Sequence, residues 1–262
     1  MGKEMIGELE LNRIYQRDCI EGMRMLPDKS VDMILCDLPY GTTKCKWDEV
    51  IPFELLWGQY ERIIKDNGAI VLTAAQPFTS SLVMSNPKLF RYSLVWEKSK
   101  STGFLNSKKM PLRSHEDILV FYKKLPIYNP QMTIGLPYDK GVRKKQDKED
   151  IYRGYKQSHV KSTGLRFPRS VIYKKTAESE GTTFHKTQKP VALFEYLIRT
   201  FSNENNIVLD NCIGSGTTAV AAIRLNRNFI GFETNSEYVE IAKQRLETTK
   251  RGSSLKEDFH DE

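Results

Sequence analysis

Short apolar runs that alternate with helical patterns constrain the fold of this chain more than any other feature. The runs lie at 31–36, 68–74, 91–98, 116–123, 206–210 and 228–233, and apolar residues recur at helical spacing in 52–65, 190–201 and 217–225. Runs of this length, rich in Val, Ile and Leu, are typical of strands buried on both faces. The alternation predicts an α/β fold, a single doubly wound, mostly parallel, Rossmann-like sheet.

A basic segment interrupts this pattern. Between 126 and 184 the periodicity fades, and from Asp139 to Lys175 twelve Lys or Arg face four Asp or Glu, a net charge of +8 against +7 for the whole chain. We therefore divide the chain into a first half of the α/β domain (12–125), a small basic inserted module (126–184) and a second half of the same domain (185–249). The charge of the insertion suits a polyanion, although a solvated loop has the same composition.

The amino-terminal residues and the cysteines bound the class of protein. Met1–Leu11 is polar, without the apolar region of a signal peptide, and no apolar run approaches the roughly 20 residues that span a bilayer. The four cysteines (Cys19, Cys36, Cys45 and Cys212) lack metal-ligand spacing. We expect a cytoplasmic protein with reduced, structural thiols, no metal and no membrane contact.

A carboxylate ends the first long apolar run. Asp37 is followed by Leu38, Pro39 and Tyr40, at the carboxyl end of a predicted strand, where α/β sheets bind their ligands. A carboxylate accepts hydrogen bonds and an aromatic ring stacks on flat groups. The tetrapeptide could therefore hold a planar group that carries an amine, but an ordinary Pro-Tyr-Gly turn explains it equally well.

A glycine loop follows the strand at 206–210. The loop contains Gly214 and Gly216 and fits neither the dinucleotide-binding pattern nor the phosphate loop with its lysine. Glu233 ends the next strand, where an acid can bind ribose hydroxyls. The combination suggests a nucleoside cofactor without a pyrophosphate, such as S-adenosylmethionine. A glycine-rich connection beside an exposed Glu is the alternative.

Together these motifs resemble those of the S-adenosylmethionine-dependent amino-group DNA methyltransferases, the N6-adenine and N4-cytosine family, in the permuted order called the beta class. Asp37–Tyr40 is similar to their D/N/S-P-P-Y motif, Asp210–Thr217 to their D-P-F-x-G-S-G-T loop, and His185–Pro190 to their H-x-T-x-K-P element. The run Arg17–Asp32 also resembles theirs. The departures are Leu38 and Asn211, each in place of proline, and Cys212 in place of an aromatic residue.

The resemblance implies roles for individual residues. Asp37 and the backbone carbonyl of Leu38, in a loop fixed by Pro39, would accept hydrogen bonds from the amine of a flipped base, on which Tyr40 would stack. The implied cofactor-binding residues are Asp18, Cys19, Asp37, His185, Lys189, Asp210, Gly214, Ser215, Gly216, Thr217 and Glu233. The implied DNA-binding residues of the insertion, a target-recognition module, are Arg143, Lys144, Lys145, Arg153, Arg166 and Arg169.

The implied reaction is methyl transfer from S-adenosylmethionine to the N6 of an adenine flipped out of double-stranded DNA. Cytosine-N4 enzymes often carry Ser where this chain has Asp37, which favours adenine. A cytosine-C5 enzyme would use a Cys that follows a proline, and none of the four cysteines does. N4-cytosine methylation, protein-glutamine or RNA methylation, and a catalytically inactive DNA-binding regulator are the alternatives. A homodimer and a companion restriction endonuclease stay open.

Overall fold

The computed structural model describes residues 4–42, 48–142, 158–181, 183–184 and 188–257 of the 262-residue chain, with side chains as far as residue 251. Two compact units are present, a larger one formed by Met1–Asn129 and Ser170–Glu262 and a smaller one formed by Pro130–Arg169. In the described part of the chain, no helix is both long enough and apolar enough to span a membrane.

The described residues form fourteen strands and six α-helices. The strands are β1 (Met5–Ile6), β2 (Leu9–Glu10), β3 (Arg13–Gln16), β4 (Val31–Asp37), β5 (Ile64–Ala74), β6 (Phe90–Thr102), β7 (Arg113–Phe121), β8 (Thr133–Ile134), β9 (Tyr138–Val142), β10 (His159–Ser162), β11 (Leu165–Arg166), β12 (Val171–Lys174), β13 (Ile207–Asp210) and β14 (Asn228–Glu233). The helices are α1 (Cys19–Arg24), α2 (Phe53–Ile63), α3 (Phe78–Ser85), α4 (Val191–Phe201), α5 (Thr217–Arg224) and α6 (Ser236–Glu257).

The larger unit is built on an eight-stranded sheet in the order β12-β6-β7-β5-β4-β13-β14-β3. Strand β7 runs antiparallel to its neighbours β5 and β6, and the other pairs of this sheet are parallel. The predicted α/β class and mostly parallel, doubly wound sheet are therefore confirmed.

The two halves of the chain meet in the middle of this sheet. Strand β4 pairs with β13, with Met33 opposite Val208 and Ile34 opposite Leu209. From β4 the chain continues to β5 on one side, and from β13 it continues to β14 on the other. Chain order thus reverses between β4 and β13, and ligands of such sheets bind at the carboxyl ends of strands at this kind of switch point.

Helices cover both faces of the sheet, because successive side chains of each central strand point to opposite sides. Ile34 and Cys36 of β4 join the apolar core with α1, α2 and α3, whereas Met33 and Leu35 join the core with α4, α5 and α6. The four β4 side chains that contribute to these two cores are fully buried. This arrangement explains the continuous apolar character of 33–36 and gives the strand ends a rigid support.

Two helix starts are stabilised by carboxylates that accept backbone N–H groups otherwise left without partners. Asp18 caps α1, accepting from Ile20 N at 2.9 Å and Glu21 N at 3.0 Å. Glu180 accepts from Val191 N at 2.6 Å and Ala192 N at 2.9 Å at the start of α4.

The structure differs from the sequence-based prediction around β6 and β12. The apolar runs of the sequence leave 99–115 without a predicted strand, but β6 continues to Thr102, which pairs with Arg113 of β7 in a long hairpin. Residues 171–174 fell within the predicted insertion, yet they form β12 and pair parallel with β6 in the main sheet. A four-residue strand is too short to show a period, and only Ile172 in it is buried. The smaller unit is therefore shorter than 126–184.

The described residues of the smaller unit form two antiparallel strand pairs, β9 with β10 and β8 with β11. The Arg166 guanidinium lies 4.6 Å from the ring centre of Tyr138 and donates to the Ser162 hydroxyl and to the Leu136 carbonyl. His159 Nε2 lies 2.6 Å from Asp139 Oδ1. These contacts replace the apolar core that the composition of this segment cannot provide.

Candidate active site

Three acids converge at one edge of the main sheet. Asp37 ends β4, Asp210 ends the adjacent β13 and Glu233 ends β14, the next strand along. All three line a cavity of about 930 Å³. Ligand sites commonly measure roughly 300–1,000 Å³, so this cavity can hold a nucleoside cofactor and the group on which it acts.

Asp37 is held by three donors from three different elements. Oδ1 accepts hydrogen bonds from the Tyr40 hydroxyl at 2.9 Å and from the Thr73 hydroxyl at 2.5 Å, and Oδ2 accepts from Lys189 Nζ at 2.8 Å. Thr73 faces Asp37 because β5 pairs with β4 in register. An ionised carboxylate offers about four acceptor positions, so roughly one remains for a further donor.

The buried Lys189 joins Asp37 to a second, partly buried acid. Its Nζ lies 3.3 Å from Glu116 Oε2, and Lys98 Nζ lies 3.2 Å from Glu116 Oε1. Burial opposes the charge of Lys189, but Asp37 and Glu116 outweigh it and raise its pKa well above the ordinary value. Burial likewise opposes ionisation of Glu116, yet the two ammonium groups lower its pKa. Lys189 is therefore a cation held between two anions.

The ring of Tyr40 is fixed beside Asp37. It stacks on Phe78 with ring centres 5.1 Å apart and planes at 21°, and Lys189 Nζ lies 5.4 Å from its centre. Burial, then the charge of Asp37, raise the Tyr40 pKa well above its usual value, so the hydroxyl remains a donor. Leu38 is buried in the core with α1–α3, and Pro39 is partly exposed at the cavity.

Asp210 organises the glycine loop. Its carboxylate accepts from Cys212 N at 3.1 Å and from the Thr218 hydroxyl, which bridges the strand to the start of α5. The side chain is buried, and burial raises its pKa to about 7. Asn211, which replaces the family's proline, accepts from the buried Tyr60 hydroxyl at 2.5 Å. Buried polar contacts of Asp210 and Asn211 therefore hold the glycine loop in place.

The two glycines of the loop have different structural roles. Gly216 has φ +85°, and a Cβ there would lie 2.8 Å from the Cβ of Ala242 on α6, so the helix packs against a bare backbone. Gly214 has φ +50°, and a Cβ there would meet no heavy atom within 4 Å. Gly216 therefore serves packing, whereas Gly214 leaves the loop backbone open to the cavity.

Glu233 and Asp18 lie on the other side of this loop. Glu233 Oε2 accepts from Gly214 N at 3.0 Å and Oε1 accepts from Asn235 N at 2.8 Å. Each oxygen keeps a lone pair for a hydroxyl donor. Asp18, at the cap of α1, and the buried Cys19 line the same cavity. In the sheet, β13 separates β4 from β14 and β3. Glu233, Asp18 and Cys19 therefore line a part of the cavity that lies beyond β13 from Asp37.

Two predicted cofactor residues make contacts with the segment that carries Lys189. The Ser215 hydroxyl donates to Gln188 Oε1 at 3.1 Å, and the buried Thr217 hydroxyl donates to the Lys189 carbonyl at 3.2 Å. Arg245 of α6 donates to the Ser215 carbonyl at 2.5 Å. In this structure both hydroxyls therefore fix Lys189 relative to the glycine loop.

Several predicted site residues lie outside the described residues: His185, Arg143, Lys144, Lys145 and Arg153. Of the two remaining DNA-binding candidates, Arg166 is partly buried and engaged within the smaller unit, and Arg169 is exposed.

Sequence reasoning missed Thr73, Lys98 and Glu116. Strand β7 is antiparallel, so its amino end, with Glu116, reaches the edge where the parallel strands end. One signal was available: Lys98 follows Trp96 by two residues on a strand, which places both on the same face. Both side chains are indeed buried, and Glu116 is the register partner of Trp96.

Among the described residues, no group of three or more His, Cys, Asp or Glu is arranged to hold a metal ion. Three described cysteines, Cys19, Cys36 and Cys212, are free thiols. A cavity at a switch point, an acid beside an aromatic ring, and a glycine loop followed by an acid placed to bind ribose hydroxyls are typical of α/β proteins that bind a nucleoside cofactor.

Comparison with known proteins identifies the family within this class. A family model described as DNA methylase (N6_N4_Mtase) matches residues 31–244. The chain is 30% identical over 254 residues to the Type II methyltransferase M1.MboII of Moraxella bovis, covering 89% of this chain and 96% of the relative. It is 28% identical over 259 residues to the DNA adenine methyltransferase YhdJ of Escherichia coli (strain K12), covering 94% and 86%.

The chain also shares its fold with solved structures. The M1.HpyAVI-SAM complex has a TM-score of 0.58 and 24% identity, covering 89% of this chain and 98% of that chain. The PvuII DNA methyltransferase, described as cytosine-N4-specific, has a TM-score of 0.63 and 16% identity, covering 89% and 85%. The chain therefore belongs to the N6/N4 DNA methyltransferase family, and its cofactor is S-adenosylmethionine.

Proposed function

We propose that this DNA methyltransferase transfers a methyl group to the exocyclic N6 of adenine in a specific DNA sequence. The observation that carries the proposal is the Asp37 carboxylate, fixed by three donors at the cavity with about one acceptor position left. Asp at this motif position, where cytosine-N4 enzymes often have Ser, supports adenine, as does similarity to a relative named as a DNA adenine methyltransferase.

The chemistry of an exocyclic amine explains why a fixed acceptor is needed. The lone pair of the amine is delocalised into the ring, so the nitrogen is a weak nucleophile. An acceptor aimed at each of its hydrogens favours a tetrahedral nitrogen and stabilises the positive charge that develops as it attacks. Asp37 would supply one acceptor and the backbone carbonyl of Leu38 the other. Because the side chain of Leu38 is buried in the core, that carbonyl is held in place without the family's proline.

The residues around the rest of the cavity fit the cofactor. When bound, S-adenosylmethionine supplies an electrophilic methyl group on a sulfonium centre. Glu233 would accept the ribose hydroxyls, Asp18 and Cys19 would border the adenine, and the open backbone at Gly214 would face the methionine part. The carboxylate of Asp210, at the base of the glycine loop, would stabilise the positive charge of the cofactor. This placement lets proximity and alignment carry much of the rate.

The target base must leave the duplex to reach Asp37, because its amine is paired inside the helix. Phe78 covers one face of the Tyr40 ring. We propose that the flipped base stacks on the other face. The smaller unit and the basic residues of 139–175 would bind phosphates and contribute to sequence recognition. Arg169, which is exposed, is a candidate for these DNA contacts among the residues that the structure describes.

We further propose that the enzyme works in the cytoplasm on double-stranded DNA, where the thiols of Cys19, Cys36 and Cys212 stay reduced. A companion restriction endonuclease would fit the similarity to relatives named Type II methyltransferases.

Labelled product analysis tests the proposal. The purified protein is incubated with methyl-labelled S-adenosylmethionine and mixed-sequence duplex DNA. The DNA is then digested to nucleosides, which are separated by chromatography and identified by mass. Label in N6-methyladenine is expected. Label in N4-methylcytosine would replace the proposal with the cytosine alternative, and label in protein or RNA alone would contradict it. A wild-type protein without any transfer would favour the DNA-binding regulator.

A further inference from the structure

An apolar tip projects from the hairpin between β6 and β7. Phe104 and Leu105 start a single 3-10 turn, Phe104–Asn106, and their exposed fractions are 78% and 99%. Exposing two neighbouring large apolar side chains is costly in water and marks a contact surface. No described partner within the larger unit buries Leu105.

This tip is ordered by its own backbone. Gly103, with φ +90°, turns the chain, and Asn106 N donates to the Gly103 carbonyl at 2.9 Å. Ser107 N donates to the Phe104 carbonyl at 3.0 Å and Met110 N to the Asn106 carbonyl at 3.0 Å. The antiparallel pairing of β6 and β7 supports the base of the hairpin. The two side chains are therefore presented by a folded turn, which limits the entropy lost on binding.

The position of the tip relates it to the active site. Residues 100–103, immediately before Phe104, and Arg113, after the turn, line the same cavity as Asp37. The tip therefore lies at the rim of the cavity that must receive the target base.

The charge around the tip selects the partner. Lys100, Lys108, Lys109 and Arg113 are all exposed, and residues 99–115 contain no Asp or Glu. An apolar tip within a cationic rim is complementary to a polyanion with an apolar interior. Duplex DNA has this chemistry, with phosphates outside and stacked bases inside, and apolar wedges inserted between bases are a known way to unstack them.

We propose that Phe104 and Leu105 form a wedge that enters the duplex beside the target base and fills the space left when that base flips into the cavity. The surrounding lysines and Arg113 would hold the flanking phosphates. The wedge would stabilise the flipped state and so increase the fraction of bound DNA that is ready for methyl transfer. The inference applies to either target amine and rests on the DNA methyltransferase activity alone.

The test compares matched and mispaired targets. Long-read mapping of modified bases in DNA from expressing cells supplies the target sequence, which is placed in two duplex oligonucleotides, one fully paired and one with an abasic site opposite the target base. Single-turnover transfer is measured for the wild type, for Phe104→Ala/Leu105→Ala and for a control, Leu125→Ala. Leu125 is 78% exposed and follows the opposite end of β7.

On the paired duplex, the transfer rate of the double variant is expected to be lower than that of the wild type by about 10-fold or more. The variant has no apolar side chains to fill the space that the flipped base leaves in the stack. On the abasic duplex, where the target is already unpaired, its rate should return to within about threefold of wild type. The control should match the wild type on both. The cofactor affinity of the double variant should stay unchanged, since neither side chain lies in the cofactor part of the cavity.

Two results would overturn the wedge. An equal loss on both duplexes would show that the tip supports the site or the binding of DNA in general. An unchanged rate on the paired duplex would show that the tip does not assist flipping. Wild-type transfer on the paired duplex is the reference, so a failure of the enzymatic activity itself would show there and be separate from a failure of the wedge.

Discussion

Replacing Asp210 by Asn should alter how the stability of the protein depends on pH. Burial raises the pKa of this carboxyl from 3.8 to about 7. Between these values the native state binds a proton that the unfolded state has released, so native stability falls as pH rises through the window. Each pH unit corresponds to about 1.4 kcal/mol well below pH 7, but at pH 7 about half of the native carboxyl groups are ionised, which gives roughly 2.3 kcal/mol between pH 5 and pH 7 and about 0.4 kcal/mol more by pH 8.

Asn is a suitable replacement because it keeps the shape of the side chain and does not titrate. Its carbonyl can accept from Cys212 N, and its amide can donate to the Thr218 hydroxyl, which both donates and accepts. The free energy of unfolding is measured in urea at pH 5, 6, 7 and 8 without cofactor. The difference between variant and wild type isolates Asp210, since the other acids titrate alike in both proteins.

The variant should gain about 2.3 kcal/mol on the wild type between pH 5 and pH 7 and about 0.4 kcal/mol more by pH 8, with almost no further change at higher pH. Asp66→Asn is the control: Lys124 and Lys29 hold the pKa of Asp66 at about 2, well below this range. That variant should differ from the wild type by a constant amount. A constant difference for Asp210→Asn as well would refute the claim that Asp210 is protonated in the native protein near neutral pH.

Three further predictions concern the same cavity. A cationic cofactor favours ionised Asp210, so the affinity for S-adenosylmethionine should rise with pH from 5.5 to 7 by up to about tenfold per unit; a flat profile in calorimetry would contradict this. Gly216→Ala should cost about 2–4 kcal/mol in urea unfolding, from backbone strain and overpacking, whereas Gly214→Ala should cost only about 1, and equal costs would count against the packing role of Gly216. Lys189→Met should destabilise the protein by about 3 kcal/mol at pH 8, because Asp37 and its neighbouring acid lose a shared buried cation; a loss under 1 kcal/mol would contradict that role.

The parts of this fold that follow local rules were predictable. The apolar run 31–36 is a strand buried on both faces, and the acids at 37, 210 and 233 end strands as expected. Strand β12 was missed because a short edge strand buries only Ile172 and leaves almost no pattern. Its place in the sheet depends on pairing with β6, a contact between distant parts of the sequence.

The same distinction applies to the site. Motif spacing identified Asp37 and Lys189 but not that they touch, since they are 152 residues apart in the chain. Glu116 was missed because it lies in the amino-terminal half of an antiparallel strand, so an acid before an apolar run, not after it, reaches the cavity. Apart from the two-residue spacing of Lys98 from Trp96, the charges brought together by these tertiary contacts leave no local signature in the sequence.

The central claim is that the Asp37 carboxylate accepts the target amine in a cavity shared with the cofactor. Its most direct test is the single-turnover rate of methyl transfer to DNA by Asp37→Ala, measured at saturating S-adenosylmethionine. We expect the rate to fall by at least about 10²–10³-fold, as when a fixed charge-stabilising group is removed from an active site, with the variant still folded and still binding the cofactor. A rate within tenfold of the wild type would contradict the account.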